Sequence, residues 1–280
     1  MRNAEGDAVP GGVPAATVSA APTAAGSPAR IIGCCGWSVS GAIQQDFPGP
    51  GTHLQRYARC YDGVEISSSF YRHHQHKTYV RWAASVPSGF RFAVKLPRAV
   101  THERRLVGTM PEIELFLAET AGLGTALGPL LIQLPPSLEF QGRTVTRFCE
   151  GLRRRHAGEV VCEPRHPTWF TAPASALLEA FHIARVAADP ACVPAAAVPG
   201  GWAGLCYYRL HGSPIMYRSS YDDAYLITLA RSIGAHCAPA WCIFDNTMLQ
   251  AAQGNALRLR ALLGPCQPGG RRSALDQSLR

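Results

Sequence analysis

Lysine is nearly absent: Lys77 and Lys95 are the only two in 280 residues, so the 27 basic side chains are almost all arginine. Such a bias follows from the base composition of a GC-rich genome and is weak evidence for nucleic-acid binding. It makes a lysine inside an apolar strand more informative. No stretch reaches eighteen uninterrupted apolar residues, which excludes a membrane-spanning helix. The ten cysteines are scattered and contain no Cys-x-x-Cys pair, which argues against a zinc ribbon and, at this length, against a disulfide scaffold. Cys34 and Cys35 are adjacent, and Cys162 and Cys206 sit in apolar strand-like runs. They read as buried free thiols in a reducing cytosol, so a cytoplasmic location is expected. No Gly-x-Gly-x-x-Gly, Walker loop, nucleophile elbow, His-Glu-x-x-His or RNA-binding sheet motif occurs, which removes the functions those motifs carry.

What remains is a chain of 47% hydrophobic and 16% charged residues, enough apolar material for one sizeable core. The formal charge is +8, which favours anionic partners but says nothing about fold. Residues 1–29 are rich in Ala, Gly, Pro, Ser and Thr without periodic pattern, carry Glu5 and Asp7, and lack the apolar core of a secretory signal. They read as a disordered tail, as does 267–280. The tails carry −1 and +2, so the basic character belongs to the region between them.

Between the tails, apolar strand candidates alternate with helical periods. The strands are Ile31–Trp37, Gly63–Ser69, Phe90–Leu96, Leu130–Leu134, Glu159–Glu163, Ala184–Asp189, Leu205–His211 and Pro239–Phe244. Helical patterns follow at Leu54–Tyr61, Ile113–Ala121, Val145–Arg155, Ala174–Phe181, Ala224–Ser232 and Ala256–Leu263. Eight β units, most followed by a helix, predict an α/β fold: a TIM-like (β/α)₈ barrel forming a single domain over residues 30–266. A doubly wound open sheet is the weaker alternative, because no dinucleotide or Walker loop follows any strand.

Alternation tests the barrel, since one side of each strand meets helices and the other points inward. Phe90, Phe92, Val94 and Leu96 oppose Arg91, Ala93 and Lys95; Val64 and Ile66 oppose Glu65; Leu130, Ile132 and Leu134 oppose Gln133. Val160 and Cys162 oppose Val161, Glu163 and Arg165; Tyr208 and Leu210 oppose Arg209 and His211. The same reasoning sets Val186 and Ala188 against Asp189 and turns Asn246 inward after the last strand. The inward polar residues cluster at the C-terminal strand ends, where barrel enzymes place their sites. Buried ions are a poor route to stability compared with apolar fillers, which favours a binding site.

Two chemistries compete for it. Glu65, Glu163, Asp189 and His211 could hold a hard divalent metal, whereas the interleaved Lys95, Arg165 and Arg209 suit a carboxylate or phosphate. The anion reading is preferred, and no metal ligand is assigned. The preferred function is a small-molecule enzyme acting on a phosphorylated or carboxylated metabolite by acid/base chemistry. The alternatives are a divalent-metal-dependent hydrolase or isomerase, which could act on nucleic acid, and a non-catalytic ligand binder. No cofactor and no oligomeric state follow from these residues.

The ring lies in a series of motifs: Gly-Cys-Cys-Gly-Trp (33–37), Val-Glu-Ile-Ser-Ser-Ser-Phe-Tyr (64–71), Phe-Ala-Val-Lys-Leu-Pro (92–97) with Thr101-His102-Glu103, Gln-Leu-Pro-Pro-Ser (133–137), Glu-Pro-Arg-His-Pro-Thr-Trp-Phe (163–170), Arg-Leu-His-Gly (209–212) and Phe-Asp-Asn-Thr (244–247). In this order, from about Ile31 to Leu263, they resemble the family called domain of unknown function 72, the YecE-like proteins. The resemblance implies a TIM-barrel-like fold and an intracellular protein, and supplies no activity. The chain departs from the family pattern in having Val39 and Ala42 where an aromatic and a tryptophan are usual, which alters the pocket rim. It also has Phe-Asp-Asn for Phe-Asn-Asn, and Glu-Pro-Arg-His for Glu-Phe-Arg-His. The added carboxylate, Asp245, points away from Asn246 by parity and is expected outside the site.

Catalytic roles are therefore expected of Glu65, Glu163, Asp189 and His211. Ligand contacts are expected of Lys95, Gln133, Arg165, His166, Arg209 and Asn246, with Tyr71 and His102 reaching in from loops. Tyr217 and Tyr221 could cover a ligand. The histidine-rich Tyr71–Lys77 reads as a solvated loop, Arg153–His156 as cations at a helix C-terminus, and Trp37, Trp82, Trp169 and Trp241 as packing residues.

Overall fold

The structure, a computed structural model, describes residues 28–39 and 41–264. The expected tails thus lie outside the described residues, apart from Pro28 and Ala29.

The chain runs β1 (Arg30–Cys34), α1 (His53–Cys60), β2 (Gly63–Ile66), α2 (His76–Ala84), β3 (Arg91–Lys95), α3 (Met110–Thr120), β4 (Leu127–Gln133), α4 (Gly142–Arg153), β5 (Val160–Glu163), α5 (Ala172–Ala180), β6 (Ile183–Arg185), β7 (Ala187–Asp189), β8 (Gly200–Gly201), β9 (Cys206–Leu210), α6 (Asp223–Gly234), β10 (Ala240–Phe244) and α7 (Ala251–Leu263). Two ladders result, β2-β3-β4-β5-β6-β8 and β1-β10-β9-β7, parallel among the described strands except where β8 meets β6. They join at both ends. Cys35 bridges to Glu65, and Gly36 N–H donates to Glu65 O at 2.9 Å, linking β1 to β2. β6 and β7 are halves of one strand separated by Val186, whose N–H donates to Cys162 O at 2.8 Å. The first half pairs β5 and the second pairs β9. The pairings therefore close into a TIM-like barrel of eight strand positions.

Helices form where the pattern directs. Thr52 accepts from Gln55 N while the Gln55 side chain bonds Thr52 N, a reciprocal cap that starts α1. α4 buries Val145, Phe148, Cys149 and Leu152, one stripe at helical spacing. Asp222 caps α6 by accepting from Tyr225 N at 2.8 Å. The expected loop at Tyr71–Lys77 runs to Gln75 before α2 begins: Tyr71, Arg72 and His73 are exposed, but His74 is buried, bonded to Ser68 Oγ at 2.8 Å and set edge-on to Tyr79 and Trp82. The two aromatic residues of α2, Tyr79 and Trp82, recruit that one histidine into their packing.

Outer residues of the strands, among them Val64, Ile66, Phe92, Val94, Leu130, Ile132, Cys162, Tyr208 and Leu210, pack against the helices. The barrel interior is a separate apolar cluster of Ala93, Leu131, Val161, Ala184, Val186, Leu205, Tyr207, Trp241 and Ile243. Trp241 stacks on Tyr207 with ring centroids 6.0 Å apart. It fits because two strand positions lack side chains: a Cβ at Gly128 would lie 2.8 Å from Trp241 Cζ2, and one at Gly63 would lie 3.2 Å from Cζ3. The apolar layers fill the floor and middle of the barrel, leaving polar side chains for the C-terminal mouth.

Candidate active site

Each barrel strand ends in the mouth with its inward parity fixed by the packing below. Glu65 follows Gly63 by two on β2, Lys95 follows Ala93 by two on β3, and Gln133 and Glu163 follow Leu131 and Val161 by two. Arg209 and His211 follow Tyr207. Because all lie an even number of residues from inward-facing positions, they converge.

Arg209 is the centre. It is 1% exposed, yet every nitrogen of its guanidinium has a carboxylate partner. Nε and Nη2 form a fork on Glu65 at 3.0 and 2.8 Å, Nη1 donates to Glu163, and Nη2 also donates to Asp245 Oδ2 at 3.1 Å. Tyr207 and Ser67 donate to the same Glu65 carboxylate at 3.0 and 2.7 Å, and the Cys35 thiol donates to Ser67 Oγ at 2.9 Å. Bidentate, charge-assisted geometry of this kind is the arrangement in which a buried ion network is tolerated.

His211, also 1% exposed, lies between two carboxylates. Nδ1 is 3.0 Å from Asp245 Oδ2 and Nε2 is 3.0 Å from Glu163 Oε1. Burial disfavours the charged ring, but Glu163 and Asp245 outweigh it and raise the pKa, which favours the form that donates at both nitrogens. Arg165 Nη2 stands 3.3 Å from the same Nε2. With Nε2 protonated this is a close approach of two cations, and the binding partner of Arg165 is Glu163, reached from Nε at 2.9 Å. Burial pushes the Glu163 carboxyl up, but Arg209, Arg165 and His211 hold it well below the usual carboxylate range. Asp245 is lowered by Arg209 and His211 in the same way, against burial.

Lys95 is different. Among the described residues its ammonium forms no ion pair; it rests 3.8 Å from the centre of the Phe70 ring. Burial, with Arg209 nearby, lowers its pKa to about 8 against the pull of Glu65 and Glu163. His102 packs edge-on to the same Phe70 ring, centroids 4.9 Å apart, with Nδ1 engaged by Thr101 Oγ1 at 2.9 Å. Burial and the surrounding Lys95, Arg98 and Arg165 lower its pKa to about 4, so it is neutral near pH 7. Ser69 Oγ donates to Lys95 O at 2.7 Å, tying the loop after β2 to the end of β3.

The model of the family described as protein of unknown function DUF72 matches residues 31–276. The chain belongs to this family. The DUF72 chain is 27% identical over 152 residues to the UPF0759 protein YunF of Bacillus subtilis, covering 51% of this chain and 52% of YunF. It is 29% identical over 84 residues to YecE of Escherichia coli K12, covering 30% and 31%. The chain thus spans about half the length of YunF and less of YecE in these matches. A DUF72 protein of Thermotoga maritima superposes with a TM-score of 0.73 at 23% identity, over 84% of this chain and 99% of that one. One from Enterococcus faecalis gives 0.71 at 18%, over 87% and 100%. At these identities the structural likeness is one of fold.

In this DUF72 protein the mouth brings together Glu65, Lys95, Glu163, Arg165, Arg209 and His211 from the expected set. Gln133 is buried beside them, pairs in register with Glu163 and donates to Leu134 O at 2.6 Å. Two strands carry the opposite parity to that expected. Ala184 and Val186 face inward, so Asp189 faces out, where it accepts from Tyr221 Oη at 2.9 Å. Trp241 and Ile243 also face inward, so Asp245 enters the site, while Asn246 bonds Ser219 O and Asn255 Oδ1 on the outside, both at 2.9 Å. The cause is the same in both: Ile-Ala-Arg-Val-Ala-Ala and Ala-Trp-Cys-Ile-Phe carry apolar residues on both faces, so alternation gives no direction. Trp241 marks the inner face only once Gly63 and Gly128 are seen across from it. Tyr71 is 77% exposed, with its ring edge-on to Phe70 at a centroid distance of 4.9 Å. His166 caps the next turn, its Nδ1 accepting from Thr168 N at 3.4 Å and lying 2.9 Å from Thr168 Oγ1. Tyr221 is buried, accepting from Gly212 N, whereas Tyr217 sets its ring edge-on to His211, centroids 5.8 Å apart. Cys35 and Tyr207, not anticipated from the sequence, complete the hydrogen bonds around Glu65. Their signal was phase with Ile31 and Arg209 respectively.

Among the described residues no group of three or more His, Cys, Asp or Glu side chains is arranged to hold a metal. The three carboxylates converge on Arg209, which takes the position a cation would occupy. No helix of the described residues is long and apolar enough to cross a membrane.

Proposed function

We propose that the mouth binds a small anionic metabolite, phosphorylated or carboxylated, and acts on it by acid/base chemistry. The observation that carries this reading is the unpaired Lys95. Glu65, Glu163 and Asp245 are balanced by Arg209, Arg165 and the His211 imidazolium, so the Lys95 ammonium is an excess positive charge at the open end of the barrel. An incoming anion restores neutrality, with the partly exposed Arg165 fork as its second contact. Arg209, fully engaged and buried, serves to position Glu65, Glu163 and Asp245. His211 is the proton donor, and Glu163 and Asp245 fix its ring and charge, which is how a buried imidazole is tuned for transfer.

A thermal-shift titration with phosphate, sugar phosphates and small carboxylates tests this. A ligand at about 100 times its Kd adds roughly 2.7 kcal/mol, a rise on the order of 5–10 °C for a domain of this size. The rise should be selective for one class of anion and disappear in Lys95→Ala and in Arg165→Ala. Equal shifts in both variants and the parent would place the anion elsewhere and overturn the reading.

A further inference from the structure

The excess cation also has the setting of a nucleophile, and we propose that Lys95 condenses with a carbonyl group of the anionic metabolite to form a covalent imine. This rests on the anion reading above. Lys95 Nζ sits over an aromatic face, without a carboxylate partner among the described residues, at the end of a barrel strand whose base is locked in the sheet. A carboxylate partner stabilises the ammonium and keeps a lysine from acting as a nucleophile, and among the described residues Lys95 has none. Arg165 remains charged at all working pH values and holds the anionic group while Lys95 reacts.

Burial supports the chemistry: with a pKa of about 8, about a tenth of the amine is neutral at pH 7, roughly two hundredfold more than for an ordinary lysine. The amine nitrogen adds to the carbonyl carbon, the carbonyl oxygen leaves as water, and the ammonium plus carbonyl become iminium plus water. No oxidant, reductant or net proton is required. His102, neutral and packed on the same Phe70, is a carrier for the proton that passes from the ammonium to the departing oxygen.

The two-lysine sequence makes the test clean, because Lys77 on α2 is exposed and serves as an internal control. The full-length protein is incubated with sodium cyanoborohydride and one of three probes: glyoxylate, glyceraldehyde 3-phosphate or neutral propanal. Intact mass and peptide mapping then locate the reduced adduct and separate it from the N-terminal amine. The expected result is an adduct at Lys95 at least tenfold faster than at Lys77 with an anionic aldehyde, slowed at least tenfold in Arg165→Ala. The Lys95→Arg variant should be unlabelled at that peptide, and Lys77→Arg should label as the parent does. Equal labelling of Lys77 and Lys95 overturns the imine. No Lys95 adduct, alongside an anion-dependent thermal shift, also overturns it and leaves the anion reading standing. Preferential Lys95 labelling that is as fast with propanal as with the anionic aldehydes retains the nucleophile and removes the anion reading.

Discussion

Arg209 holds three carboxylates that would otherwise repel one another in a dry interior. Removing one partner of a buried ion network leaves uncompensated charge, a loss of about 3–5 kcal/mol. Arg209→Met should therefore lower the melting temperature by roughly 10 °C, whereas Arg209→Met combined with Glu65→Gln should recover part of it. A single variant as stable as the parent would show that the carboxylates are neutral or solvated. The residues of this network were mostly legible in the sequence, because Glu65, Lys95, Gln133, Glu163, Arg209 and His211 each stand in a strand whose other face is bulky and apolar. Asp245 was not, since its strand is apolar on both faces and its inward neighbours are a tryptophan and an isoleucine. Cys35 and Tyr207 were hidden for a different reason: small or aromatic hydrogen-bonding groups in a strand look like core.

At the scale of elements, the floor of the barrel is built by complementarity between β10 and two glycine positions. Trp241 lies across the interior into space that side chains on β2 and β4 would fill. Gly128→Ala should destabilise the protein by about 1–3 kcal/mol through overpacking. Trp241→Leu should offset much of that loss, giving a favourable coupling in a double-mutant cycle read by urea denaturation. Additive losses would mean that Trp241 yields without strain. The eight barrel strands and six of the helices were readable from periodicity, whereas the two-residue β8 of Gly200 and Gly201 carries no pattern. α2 was masked by the polar run that precedes it, in which the one buried histidine is indistinguishable by composition from its exposed neighbours.

The whole molecule responds to pH through the mouth. Glu163 and Asp245 have lowered pKa values, so their stabilisation is present above the ordinary carboxylate range and is lost as pH falls through the folded values. His211 is raised; its contribution is complete below about pH 6.5 and is lost as pH rises through the folded value. Lys95 acts in the opposite sense, its unfavourable burial relieved as pH climbs above about 8, so the comparison is best made in a Lys95→Met background. There, the difference in urea midpoint between His211 and His211→Gln proteins should be greatest near pH 6 and shrink toward higher pH. A difference that widens with pH would mean that His211 is neutral in the folded state.

In the proposed reading an anion occupies the open end of the barrel against Lys95. A crystal structure grown or soaked in inorganic phosphate, at a concentration that saturates the thermal shift, tests it most directly. A tetrahedral anion is expected within hydrogen-bond distance of Lys95 Nζ and the Arg165 guanidinium, with the Arg209 network unchanged beneath it. Phosphate bound only elsewhere on the surface, with the mouth holding water alone, would contradict it.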